Sequence, residues 1–280
     1  MKKLLLLPLL ALACACTRGP YAATNRVYKR QAKTLARQLR PLPTVPDSLP
    51  TATYQVGTTN FNLRKPNYVI IHHTAQTSTA QTIKTFTLPK TQVSAHYVIG
   101  RDGQTFHLLN DYLRAWHGGV ARWGSMTDIN SVSIGIELDN DGTESFQEAQ
   151  LASLLRVLKS LKQAYNIPAS NFIGHGDIAP TRKNDPSALF PWQRLADRGF
   201  GLWYDASVLT DTTAAPFAQD STGQFIGIAP REALRLIGYD TQDLGAAIKA
   251  FKRHFAPSDA SAELTERDRR ILFSLYRKYL

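Results

Sequence analysis

Two histidines close the apolar run "NYVIIHHT" (residues 67–74), and a third stands in "FIGHGDIAPTRKNDP" (172–186), ten residues before Asp185. Imidazole nitrogen and carboxylate oxygen are donors that hold a borderline divalent cation. Two imidazoles, one carboxylate and a fourth position left for water make the donor set of a catalytic zinc ion. His175 and Asp185, with one of His72 and His73, would supply it. Neighbours on a strand point to opposite faces, so only one of that histidine pair can serve; spacing does not choose between them. Gly174 and Gly176 would let the backbone come close to the metal, and Pro186 biases Asp185 toward an extended conformation. The competing reading of 172–186 is a solvated loop, since it holds little that could fill a core.

A further carboxylate is needed if a water is to be activated. Glu137 lies in "SVSIGIELDN" (131–140), where Ile134, Ile136 and Leu138 alternate with Gly135, Glu137 and Asp139. An acid on a central strand is costly unless it is paired or working; the alternative is a surface carboxylate on a half-exposed sheet. Lys183, in the same loop as Asp185, reads on its own as a solvated lysine.

The elements that must position these groups follow from periodicity. Residues 67–74 read as a buried strand. "SAHYVIGRDGQTFHLL" (94–109) reads as two strands about a turn at Arg101-Asp102-Gly103, and 131–140 as another strand. Leu151, Leu154, Leu155, Leu158 and Leu161 recur at helical spacing across 148–165. Ile167-Pro168 ends that helix, and "NFIGH" (171–175) returns as a strand. The pattern predicts an α/β domain, a mixed central β-sheet flanked by helices, over 56–205. Residues 206–223 read as a linker. Residues 224–280 carry three short helical segments, each with an apolar stripe and a basic face. They read as a small C-terminal three-helix domain, the alternative being a tail packed on the main domain.

At the N-terminus, Met1-Lys2-Lys3 precedes "LLLLPLLALA", too short for a permanent bilayer span. "ALACACT" follows, which has the shape of a secretory signal ending in a bacterial lipobox. Cleavage before Cys16, or alternatively before Cys14, would leave a cysteine to carry acyl chains, an anchor without a transmembrane helix. An ordinary signal peptide with incidental cysteines is the other reading. Cutting before Cys16 leaves one cysteine and no disulfide. Residues 1–15 are then the signal and 16–55 a tether, opening with a short basic helix before four prolines in 41–50 that make a semi-rigid spacer. The formal net charge of +11 suits an anionic partner, a lipid surface or a cell-wall polymer. With a secretory start, neither nucleic acid nor a nucleotide cofactor is expected.

In order, "VIIHHTA", "SAHYVIGRDG", "AWHGG", "SIGIELDN" and "GHGDIAPTRKNDP", with "FPW" after it, resemble the signature blocks of zinc-dependent N-acetylmuramoyl-L-alanine amidases of the type-2 class. That family shares its fold with the peptidoglycan-recognition proteins, and the likeness is to its AmiD-type outer-membrane lipoproteins. It covers roughly residues 60–205. The resemblance implies Zn²⁺ held by His72, His175 and Asp185, with His73 outside the set. It implies Glu137 as the catalytic acid–base, Lys183 facing the reacting carbonyl, and His96 and His117 as substrate-contacting or supporting residues. The implied reaction cuts the amide between the lactyl group of N-acetylmuramic acid and L-alanine of peptidoglycan stem peptides, in wall turnover or recycling. The implied location is the outer membrane of a Gram-negative bacterium, facing the periplasm. "FIGIAPREALRLIGYD" and "AIKAFKRHF" bear a weaker likeness to the helical peptidoglycan-binding module attached to such amidases, in which His254 would be a helix-surface or packing residue. Two rivals are a wall-recognition module without catalysis and a zinc peptidase cutting within the stem peptide. The first is disfavoured by a complete metal set.

Overall fold

The computed structural model describes residues 19–39, 58–210 and 216–280. The expected signal peptide, both cysteines, the prolines of 41–50 and residues 211–215 of the expected linker lie outside the described residues. Two compact units, Met1–Asn62 and Leu63–Leu280, are distinguished. The first contains helix α1 (Ala22–Gln38), none of whose residues is buried.

The second unit holds β1 (Tyr68–His73), α2 (Thr79–Thr87), β2 (Tyr97–Ile99), β3 (Thr105–His107), α3 (Ile129–Val132), β4 (Ser133–Leu138), α4 (Glu148–Tyr165) and β5 (Phe172–Gly174). It continues through α5 (His175–Ile178), α6 (Trp192–Ala196), α7 (Pro230–Ile237), α8 (Leu244–Phe255) and α9 (Glu266–Tyr276). The sheet order is β3-β2-β4-β1-β5. Only the β2–β3 pair is antiparallel, so the sheet is mixed, as the sequence predicts.

Parallel pairing decides where the chemistry sits. The register sets His72 beside Glu137 and Ile71 beside Gly174, so β1, β4 and β5 end together. In open α/β sheets the carboxyl ends of parallel strands are where ligands gather. His72, Glu137 and His175 all lie at that edge.

Both faces of the sheet are covered, which is why its central strands read as near-continuous apolar runs. On one face Val69, Ile71, Ile134, Ile136, Leu138 and Phe172 pack with Leu151, Leu154, Leu158 and Leu161 of α4 and with Trp192 and Leu195 of α6. On the other, Ile70 and Ile173 join Leu234, Phe251, Phe255, Ile271, Leu272 and Leu275 from α7, α8 and α9 in one cluster. The last three helices therefore share a core with the sheet. Lys252 of α8 is fully buried. It is neutralised by Asp259 and by Asp268, 3.1 Å away at the start of α9. Asp268 also closes a capping box with Thr265, so one carboxylate both caps α9 and pairs with the buried ammonium.

Because Phe251 is fully buried in the cluster that holds Ile70, Phe251→Ala is expected to cost about 3–5 kcal/mol. Chemical denaturation should show that loss in a single transition for residues 63–280, with no separate unfolding of the last three helices.

Candidate metal centre

Alternation along β1 turns His72 to the face of Ile70, and His73 to the face of Val69 and Ile71. His73 is occupied there: its Nδ1 accepts the Ser187 N–H at 3.1 Å. His72 Nδ1 lies 2.9 Å from His175 Nδ1 and 3.1 Å from Asp185 Oδ2. His175 Nδ1 is likewise 3.1 Å from Asp185 Oδ2. The three residues are buried. A tetrahedral ion with bonds of about 2.0–2.1 Å would set its ligand atoms roughly 3.3 Å apart, close to this triangle.

The outer ring nitrogens show which lone pairs face inward. His175 Nε2 is 3.1 Å from the Gly118 carbonyl, which can only accept, so Nε2 carries the proton and Nδ1 a lone pair. His72 Nε2 is 3.1 Å from His117 Nδ1, His117 Nε2 is 3.1 Å from Ser133 Oγ, and that hydroxyl donates to the Ile129 carbonyl at 2.7 Å. Donation running outward along this relay satisfies every member and again leaves His72 Nδ1 unprotonated. Two imidazole lone pairs and a carboxylate thus converge, the condition a metal requires. Burial, and then the charge of His175, lower the His72 pKa to about 4. Burial alone would raise Asp185, but contacts with His175 and His72 outweigh it and hold the carboxyl well below the usual range.

Glu137 points into the same pocket, Oε1 lying 4.0 Å from His72 Nδ1. Its Oε2 is buried without a hydrogen-bond partner among the described residues. Burial, then the negative charge of Asp185, push its carboxyl up to about 8, against the pull of Lys183. Lys183 is half-buried on the loop leading to Asp185.

Residues 62–188 match the family described as N-acetylmuramoyl-L-alanine amidase. The chain is 32% identical to the N-acetylmuramoyl-L-alanine amidase AmiD of Escherichia coli over 235 residues, 75% of this chain and 82% of that protein. The chain belongs to the N-acetylmuramoyl-L-alanine amidase family. Escherichia coli AmpD, a 1,6-anhydro-N-acetylmuramyl-L-alanine amidase, is 42% identical over 104 residues, 37% of this chain and 57% of AmpD. Among solved structures, E. coli AmiD in complex with the substrate anhydro-N-acetylmuramic acid-L-Ala-D-γ-Glu-L-Lys superposes with a TM-score of 0.67 and 30% identity. It covers 81% of this chain and 96% of its own. Pseudomonas aeruginosa AmpDH3 in complex with anhydromuramic pentapeptide gives a TM-score of 0.67 and 29% identity, covering 84% and 99%.

In this amidase His96 and His117 both take supporting places. His96 is fully buried; its Nδ1 accepts the Gly135 N–H at 3.1 Å and its Nε2 reaches the Leu113 carbonyl at 3.0 Å. With both nitrogens engaged on backbone, it braces β4 and touches no open surface. His117 serves the relay above, and Gly135 makes room for it: a Cβ there would stand 2.4 Å from the His117 ring. Asn130 Oδ1 accepts the N–H groups of His117 and Gly118 at 3.1 and 2.8 Å. Arg182 donates to the carbonyls of Gly118 and Val120 at 2.7 and 2.8 Å.

Two details differ from the sequence reading, and His254 takes the packing role. His175 opens a helical turn, α5, rather than ending a strand. The glycines beside it make room for protein, not for metal. A Cβ on Gly174 would meet Pro186 and Trp192 at 3.0 Å, and one on Gly176 would meet Arg253 at 2.7 Å. His254 is buried, stacked on Trp192 with ring centroids 3.9 Å apart. It also holds α5 from behind. Asp177 Oδ2 accepts the Gly174 N–H and lies 2.8 Å from His254 Nδ1, while Oδ1 accepts the Tyr239 hydroxyl at 2.9 Å. The helix bearing one donor is thereby fastened to the C-terminal helices.

Burial lowers the His96 pKa from 6.5 to about 4. The unfolded imidazole takes up its proton near pH 6.5 while the folded one resists until near 4, so stability is lost as pH falls through that window. Each proton so linked is worth about 1.4 kcal/mol per pH unit. Denaturation between pH 7 and 4 should show a slope shallower by up to that amount in His96→Gln than in the unaltered chain.

Proposed function

We propose that this amidase hydrolyses the amide joining the lactyl group of N-acetylmuramic acid to L-alanine of peptidoglycan stem peptides, using Zn²⁺ held by His72, His175 and Asp185. The observation that carries the reading is the meeting of three inward donor groups beside a buried carboxylate whose Oε2 has no hydrogen-bond partner among the described residues. Zinc bound there would acidify a water and polarise a carbonyl, making a nucleophile available near neutral pH. Glu137 takes the proton of the attacking water and returns it to the leaving amine. Its raised pKa reflects burial and the Asp185 charge. A cation among the ligands offsets that charge and favours the carboxylate form that a base requires. Lys183 supplies positive charge toward the oxyanion that develops as the carbonyl becomes tetrahedral, a role worth on the order of 3 kcal/mol. The products are a free lactyl carboxylate and a stem peptide with a free α-amine. The anhydromuramyl ligands in the AmiD and AmpDH3 structures support sugars of the 1,6-anhydro form as substrates here.

We further propose that the chain is an outer-membrane lipoprotein acylated at Cys16 and facing the periplasm. The basic start, short apolar run and cysteine after small residues support this. Among the described residues no helix is long and apolar enough to cross a membrane.

Chelation should abolish release of stem peptides from a defined muropeptide, and Zn²⁺ should restore it. Glu137→Gln should keep the metal but lose about 10²–10⁴-fold in kcat, whereas Asp185→Ala should lose the metal by elemental analysis. A product retaining L-alanine on the sugar would instead assign a peptidase. Palmitate labelling in cells should disappear in Cys16→Ser and persist in Cys14→Ser.

A further inference from the structure

Helix α1 carries Arg26, Lys29, Arg30, Lys33 and Arg37 and no acidic residue. At 100° per residue, these five fall within an arc of about 100°. Tyr21, Tyr28, Ala32, Leu35 and Leu39 line up on the far side of the same helix. Tyr21, Leu35 and Leu39 are exposed, and no residue of α1 is buried.

Such a helix is poorly suited to water alone. Arg26 and Lys29, Arg26 and Arg30, Lys29 and Lys33, Arg30 and Lys33, and Lys33 and Arg37 are like charges at i,i+3 or i,i+4, where they repel. No side chain caps its N-terminus and its first turn holds no acid. With no residue buried among the described ones, this 17-residue helix draws little stability from a packed amphipathic face. A surface that offers phosphate to the basic stripe and hydrocarbon to the apolar one removes both penalties.

We propose that α1 is an interfacial helix that lies on an anionic phospholipid surface, its lysines and arginines among the headgroups and its tyrosines and leucines at the acyl boundary. Basic clusters of this size and amphipathic helices of this pattern bind such surfaces. Position in the chain favours lipid over wall polymer. Five residues separate Cys16 from Ala22, roughly 20 Å of extended chain at most, so an acylated Cys16 would hold α1 against the bilayer. A helix lying flat also withdraws about 25 Å of potential reach, leaving only the residues after Leu39 as spacer. The amidase would then act on the wall layer nearest the membrane.

The test uses the mature chain from residue 16 with Cys16→Ser, so that binding is independent of acylation. Co-sedimentation is measured with vesicles of phosphatidylcholine, with vesicles that also contain phosphatidylglycerol, and with isolated sacculi. The expected result is at least tenfold tighter partition onto anionic vesicles, weakening with salt. R26E/K29E/K33E should abolish it and Y28S/L35S reduce it about tenfold, while both variants hydrolyse a soluble muropeptide at the unaltered rate. Equal partition onto both vesicle types, or unchanged binding after charge reversal, would overturn the proposal. So would stripe-dependent retention on sacculi without vesicle binding, which would give the helix to the wall polymer.

Discussion

His72 Nδ1, His175 Nδ1 and Asp185 Oδ2 stand 2.9–3.1 Å apart in a buried place where water cannot screen them. Three lone-pair donors so close need a positive charge among them, a shared proton or a metal ion, and nothing in their own side chains keeps them there. The surrounding structure does. Gly118 gives its carbonyl to His175 and Arg182, Asn130 holds the turn that carries Gly118 and His117, and Ser133 terminates the relay from His72. Each of these contacts removes a rotation or a tautomer that would let the triangle relax. The sheet supplies the rest, because parallel β1, β4 and β5 end together.

The same pocket holds two carboxyl groups in opposite states. Asp185 faces two imidazoles and is kept ionised, while Glu137 faces little polar company and is pushed up to about 8. Environments that drive two acids apart in this way would suit Asp185 to hold a cation and Glu137 to carry a proton. Positive charge governs the difference: Lys183 draws Glu137 down, and a bound cation acts in the same direction.

The grouping of His72, His175 and Asp185, with Glu137 beside it, is legible in the sequence because its members are strong local signals: histidine after an apolar strand, aspartate before a proline, an acid among small residues on an alternating strand. Choosing His72 over His73 took only the strand's alternation once the sheet showed which face was the site. Helix α2 is not legible in the sequence, since the nine residues of "TAQTIKTFT" carry only two large apolar side chains, Ile83 and Phe86, too few to establish a period. Arg182, Ser133, Asn130 and Asp177 were not read either. Their partners, such as Gly118, 64 residues from Arg182, and His254, 77 from Asp177, come near only in the folded chain. The role of Gly174 and Gly176 is hidden for the same reason: the groups that crowd them include Trp192 and Arg253, which local spacing does not reveal. His96 carried a family signal, yet full burial makes it a brace.

The tie between Asp177 and the pair Tyr239 and His254 has a thermodynamic corollary. An ion that binds only the native state adds free energy to every element that unfolds with the site, about 4 kcal/mol when its concentration is a thousand times the dissociation constant. Helices α7 to α9 supply none of the three donors, but they share a core with β1 and grip the turn that carries His175. They would therefore inherit that stabilisation in full. Scarcity of zinc would be felt at the C-terminus as susceptibility to proteases, well away from the vacant ligands.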